Sequence, residues 1–212
     1  MTIDSALMKF LREDYPKHLG IEDREDVKIQ RRVFGKGEIP LLDENNEKDE
    51  KKEWVASVIK NDTAAPLEVI EFESYIDQFK LKGMKCDFVI GPVMGYSFIL
   101  FNELTKSQLK YIKPYVQQKT GLRKEGKWKR AKNQLKTSIE RFYEVGDLLD
   151  KYTKKIALFS YRLSDDDHND EDDGGKQMKR YPPSIELDTF KEVLPHGFTF
   201  EQRLYPTPYI IE

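Results

Sequence analysis

Cysteine is almost missing from this chain: Cys86 is the one thiol in 212 residues. No intrachain disulfide can form, and nothing points to an oxidising compartment. A single thiol beside an apolar run reads as a small buried side chain rather than a nucleophile. Histidine is nearly as scarce. His18, His168 and His196 stand in scattered, loop-like contexts without ligand spacing, which leaves zinc without a site. No stretch approaches the roughly 20 apolar residues that span a bilayer, and the opening MTIDSALMKFLREDYPK lacks the basic start and unbroken apolar run of a secretory signal. The expectation is a cytoplasmic protein with no membrane partner. Walker-type and Rossmann-type glycine loops are missing, and neither Ser97 nor Ser160 sits in a G-x-S-x-G setting. ATP-dependent and serine-nucleophile mechanisms therefore have no motif to rest on.

What the chain does have is enough apolar residues (38%, with 12% aromatic) for one sizeable core. Residues 1–212 are read as a single domain. Charged residues make up 35% of the chain yet the net charge is only −2, so the distribution matters more than the total. From Leu104 to Lys136 there are eleven basic residues against the single acid Glu125, a local charge of about +10 with about −12 left for the remainder. Such a segment attracts a polyanion. Lys124, Lys127, Lys129, Arg130 and Lys132 are its candidate nucleic-acid-binding residues. The plainer reading, a solvated helix face whose charges meet acids elsewhere in the chain, carries comparable weight.

Hydrophobic periodicity divides the sequence further. Ser5 to Leu11 reads as a short helix capped by Asp4 or Ser5. Val27 to Leu42 reads as a strand or hairpin arm broken by Gly35 and Gly37. Trp54 to Ile59 is strand-like. Leu67 to Phe79 fits both periods and is taken as a strand turning into an irregular segment. Cys86 to Ile90 and Tyr96 to Leu104 are the clearest strands, joined by a short glycine-bearing loop as in an antiparallel hairpin. Trp128, Ala131, Leu135, Ile139 and Phe142 form one stripe of a long amphipathic helix over Trp128 to Val145, and Ile156 to Tyr161 is a buried-looking strand. The acidic tracts 43–53 and 165–175 read as mobile loops. The second is a poor calcium loop, because the ligand alternation, the central glycine and the closing Glu of an EF-hand are missing. The proline-bearing C-terminal part reads as extended segments on an edge of the core.

One arrangement carries chemistry. Asp87 opens the strand CDFVI and Glu103 closes FILFNEL one hairpin later, so the two carboxylates can lie side by side at one end of the sheet. Two carboxylates and a backbone carbonyl suit a hard cation such as Mg²⁺ or Mn²⁺. The ordered run KCDFVIGPVMGYSFILFNELTK, then WKRAKNQLKTSIERFYEV, then KKIALFSYR resembles the PD-(D/E)XK, or restriction-endonuclease-like, nuclease core over some eighty residues, within a core of about 67–162. The resemblance implies an α/β fold with a mixed sheet flanked by helices, carrying loop and C-terminal decorations. It implies a metal-dependent nuclease acting on DNA or RNA, in a setting such as bacterial defence or mobile elements. On it, Asp87 and Glu103 are the motif acids and Gln134 the helix glutamine. A third carboxylate would come from Glu71 or Glu73, with Glu73 carried as the metal ligand.

The departure from the pattern is Thr105, which stands where the motif lysine belongs. That lysine ordinarily positions the attacking water and stabilises developing charge. Lys106 is adjacent but points to the other face of a regular strand, so it serves as the catalytic cation only through a bulge. Lys85 or a helix lysine is the alternative. Thr105 also keeps open a catalytically inactive nuclease-fold module that binds nucleic acid or a protein partner, a second copy of the chain included. A purely structural role for the basic helix is the third reading.

Overall fold

The computed structural model describes residues 4–21, 26–42, 55–107, 109–112, 114–117, 120–163 and 193–212. The acidic tracts 43–53 and 165–175 lie outside these residues, as do Trp54 and the Pro182-Pro183 pair. The strands are β1 (Arg31–Phe34), β2 (Gly37–Leu42), β3 (Val55–Asn61), β4 (Leu67–Glu71), β5 (Phe88–Pro92), β6 (Phe98–Ser107), β7 (Tyr115–Val116), β8 (Arg123–Lys124), β9 (Lys154–Leu163), β10 (Val193–Leu194), β11 (Phe198–Leu204) and β12 (Tyr209–Ile211). The helices are α1 (Ala6–Lys9), α2 (Tyr15–His18), α3 (Phe72–Asp77), α4 (Leu109–Ile112) and α5 (Lys127–Val145). No helix among the described residues is long and apolar enough to cross a membrane.

Seven of the described strands form one mixed sheet in the order β1-β4-β5-β6-β9-β11-β10. The strands β1, β4, β5 and β6 run antiparallel to their neighbours, while β6, β9 and β11 are mutually parallel. Parallel strands need a long crossover, and the connection from β6 to β9 supplies it through α5, which packs on both strands. Its stripe is buried as the 3.6-residue period requires: Ala131, Leu135, Ile139 and Phe142 are buried and Trp128 packs beside them. On the opposite face lies a second sheet, β12-β3-β2. The central strands are thus covered on both sides, which explains their near-continuous apolar sequence. Along β6, Ile99 and Phe101 enter the helix-side core, whereas Phe98, Leu100 and Leu104 enter the core shared with the smaller sheet.

Three segments differ in detail from the sequence reading. The N-terminal helix continues past Leu11 through a π-helical turn, Phe10–Asp14, into α2. Pro16 has no N–H to donate into the preceding turn, and the i to i−5 bond from Tyr15 N–H to the Phe10 carbonyl carries the chain across. The arm 27–42 divides at Gly35–Gly37, β1 joining the large sheet and β2 the small one. After β4 the chain forms α3 rather than an irregular segment, because Phe72, Tyr75 and Ile76 at helical spacing all become buried. The C-terminal segments do add at sheet edges: the β10–β11 pair beside β9, with β10 outermost, and β12 beside β3.

Leu135 is fully buried where α5 meets the sheet. Leu135→Ala is expected to lower unfolding free energy by about 2 to 5 kcal/mol in urea titrations, whereas the same truncation at exposed Leu122 should change it little.

Candidate functional site

The antiparallel β5–β6 register aligns Phe88 with Asn102, and one step further places Asp87 opposite Glu103. Both face the side covered by α5, whose first two turns overhang this end of the sheet. The result is a cleft of about 310 Å³ lined by Glu73, Asp87, Glu103, Thr105, Lys127, Arg130 and Gln134, with Leu104 and Ala131 completing it. Helical spacing gathers the α5 contribution, since positions 127, 130, 131 and 134 share one face.

Polar contacts hold the walls in place. Leu104 N–H lies just beyond the last β5–β6 pair and donates to Asp87 Oδ2 at 2.6 Å. The Asp87 carbonyl accepts from Phe72 N–H at 2.7 Å, and from Glu73 N–H at 3.3 Å. Gln134 donates through Nε2 to the Lys85 carbonyl at 3.0 Å and lines the cleft beside Glu103. One turn on, Ser138 Oγ accepts from Cys86 N–H at 2.8 Å and donates to the Gln134 carbonyl at 2.9 Å. Ser138 was not singled out by sequence, although its place on the inner face of an amphipathic helix is a detectable signal. Cys86 is fully buried and burial pushes its thiol well up, which fits a packing residue.

Glu103 is only 7% exposed, and its Oε2 has no hydrogen-bond partner among the described residues. Burial, followed by the charges of Asp87 and Glu73, pushes its carboxyl up to about 10, against the opposing influence of Gln134 and Arg130. At neutral pH, without a cation beside it, the group holds a proton. No group of three or more His, Cys, Asp or Glu side chains among the described residues is gathered closely enough to hold a metal ion by itself. The carboxylates that line the cleft fit instead the sparse protein coordination of Mg²⁺, which keeps waters and takes substrate phosphate oxygens.

The candidate cations separate into two groups. Lys127 and Arg130 line the cleft, while Lys124, Lys129, Lys132 and Lys106 do not. Lys106 follows the regular parallel register opposite Arg162, so alternation leaves Thr105 facing inward and no bulge turns the lysine. Lys129 pairs with Glu125 at 2.5 Å, and Lys85 Nζ pairs with Asp77. Glu71 pairs with Arg32 at 3.5 Å, whereas Glu73 lines the cleft. A larger hollow of about 680 Å³ lies between the N-terminal helices and the far end of α5. It mixes Lys9, Lys17 and Lys151 with Asp14 and Asp147 and lacks a facing carboxylate pair, so the smaller cleft is the candidate site.

No protein-family model matches this chain, and no curated protein and no solved structure matches it. The site therefore rests on its own geometry.

The raised Glu103 carboxyl fixes a pH dependence. In the unfolded chain the group ionises near its ordinary value of 4.5, and in the folded chain near 10. Its contribution to stability is fully present below the first value and is lost as pH rises towards the second. In metal-free buffer, Glu103→Gln should therefore gain thermal stability relative to the parent as pH rises from 5 to 9, and lose that advantage in acid. Parallel thermal-midpoint curves for the two proteins would contradict this.

Proposed function

We infer that this protein is a metal-dependent nuclease, or a protein derived from one, of the restriction-endonuclease-like kind. The observation that carries the reading is Glu103, a nearly buried carboxyl with an orphaned oxygen, set opposite Asp87 in a cleft that also contains Lys127 and Arg130. The order of elements supports it: an acid-bearing hairpin, then a helix bearing Gln134, then a strand parallel to the second hairpin strand. That order is what the resemblance of KCDFVIGP, FNELTK, AKNQL and KKIALFSYR to the PD-(D/E)XK core implies.

Asp87 and Glu103 are the residues that would hold Mg²⁺ or Mn²⁺, with Glu73 at the margin, and such an ion would polarise a phosphodiester and acidify a bound water. Lys127 and Arg130 neutralise the phosphate that enters beside them. Arg130 lowers the Glu103 carboxyl towards ionisation, so a cation on the cleft side favours the charged form the site needs. Gln134, held to the Lys85 carbonyl before β5, stands beside Glu103 and favours its ionised form. Lys127 is the lysine best placed to do the work of the missing motif lysine, because Lys106 lies outside the cleft and Lys85 is paired with Asp77.

Plasmid DNA should be nicked by purified protein in Mg²⁺ or Mn²⁺ and left intact in EDTA. Asp87→Asn and Glu103→Gln should each abolish cleavage. The asparagine keeps an acceptor for Leu104 N–H, so an unchanged circular dichroism spectrum separates lost chemistry from lost fold. Lys127→Ala should slow cleavage at least about tenfold. Calorimetric Mn²⁺ titration at neutral pH should release close to one proton per ion, and Glu103→Gln should remove that release. Cleavage that survives both carboxylate changes excludes the assignment. Thr105 favours a second reading, a silent nuclease fold that binds polynucleotide without cutting. In that case the parent is inert and Thr105→Lys confers metal-dependent cleavage.

A further inference from the structure

Between the two walls of the cleft the chain inserts a small antiparallel ribbon. The strand β6 supplies one wall through Glu103 to Thr105 and α5 supplies the other through Lys127 to Gln134. The ribbon, β7 paired with β8, lies between them in sequence. Only Glu125 and Gly126 separate Lys124 from Lys127, so the ribbon springs from the rim. Its base is anchored, with Ile112 fully buried in the helix-side core and the rings of Tyr111 and Tyr115 packed at 4.8 Å. Its outer part is closed by Gln117 N–H donating to the Leu122 carbonyl at 2.9 Å and Gly121 N–H to the Gln117 carbonyl at 2.8 Å. Gly121 adopts φ +64 there, a conformation open to glycine at little cost.

The side chains on this ribbon are costly to expose for the fold alone. Val116 is 61% exposed and Leu122 58%, and Arg123 and Lys124 are exposed beside them. The register sets Val116 opposite Arg123 and Tyr115 opposite Lys124, so each face of the ribbon combines apolar surface with a cation. The segment around it carries about +10. A polyanion that also offers apolar edges answers both features.

We propose that the β7–β8 ribbon enters the major groove of a B-form DNA duplex and thereby seats a backbone phosphate over the Asp87–Glu103 cleft. The proposal rests on the nuclease-type reading of that cleft and narrows its substrate to double-stranded DNA. A two-stranded ribbon fits a groove about 12 Å wide, where Val116 and Leu122 meet thymine methyls and sugars and Arg123 and Lys124 meet phosphates. The A-form RNA groove is too deep and narrow to admit it. Single strands are bound on exposed aromatic platforms, and Tyr115, the aromatic residue of the ribbon strands, is already packed against Tyr111.

The test is equilibrium binding in EDTA, which stops cleavage, to a DNA duplex, an RNA duplex and a DNA single strand of one sequence. The parent is expected to prefer the DNA duplex by about tenfold or more. Val116→Ser with Leu122→Ser should weaken duplex binding about tenfold with an unchanged salt slope. Arg123→Glu with Lys124→Glu should flatten that slope by about two. All four positions are exposed, so thermal midpoints should stay at the parent value. Equal affinity for RNA duplex, parent-like binding by both double variants, or no polynucleotide binding by the parent at low salt would each overturn the ribbon assignment. Mn²⁺ titration of the parent against Asp87→Asn judges the cleft separately, because the ribbon variants leave those carboxylates untouched.

Discussion

Two-sided burial of β5, β6 and β9 is the constraint from which the rest of the molecule follows. Strands apolar on both faces cannot remain in contact with water on either. One face requires the α5 stripe and the N-terminal helices, and the other requires β2, β3 and β12. Phe101, Phe142 and Phe72 interlock on the helix side, while Leu100, Leu158 and Ile59 meet on the opposite side. The cleft forms at the end of the sheet where α5 begins. There the helix presents Lys127 and Arg130 instead of apolar side chains, so the last inward residues of the hairpin, Asp87 and Glu103, face a polar recess.

Two buried glutamates show how differently one residue type can be treated. Glu68 is fully buried on β4, but it accepts from Ser5 Oγ and from Arg31 Nε at 2.9 Å. It joins the N-terminal helix, β4 and β1 into one polar knot, and its cost of burial is partly offset locally. Glu103 has Gln134 as its neighbour and one oxygen without a partner. An unpaired buried carboxylate is destabilising to the fold, and that makes it an informative position chemically.

A second polar cluster secures the far end of the sheet on the helix-covered face. Lys155 donates to Tyr143 Oη at 3.0 Å and to Asp150 Oδ1 at 2.9 Å, and Tyr143 stacks on His196 at 3.7 Å between ring centroids. This ties the start of β9 and the end of α5 to the chain entering β11. The parallel β9–β11 pairing then extends the sheet well beyond the hairpin that carries the acids.

Local pattern was enough to reveal the hairpin, the α5 stripe, the β9 strand and the acid pair, because each is written in short-range periodicity. The stripe Ala131, Leu135, Ile139 and Phe142 and the alternation in FILFNEL leave few alternatives. Local pattern did not distinguish strand from helix over Leu67 to Phe79, where both periods fit until burial of Phe72, Tyr75 and Ile76 decides. It did not show that Gly35–Gly37 passes the chain between sheets, that Pro16 is absorbed by a π-turn, or that Ser138 braces Cys86. Nor did it choose among the eleven cations, since charge is additive along a sequence whereas proximity depends on which helix face meets which strand end. The sequence by itself determined that two acids would lie at one end of an antiparallel hairpin. Tertiary packing alone decided which of the cations, Lys127 and Arg130, would join them beside the Gln134 that the resemblance implies, because α5 must dock its apolar stripe on β6 and β9, and that docking fixes where its first two turns point.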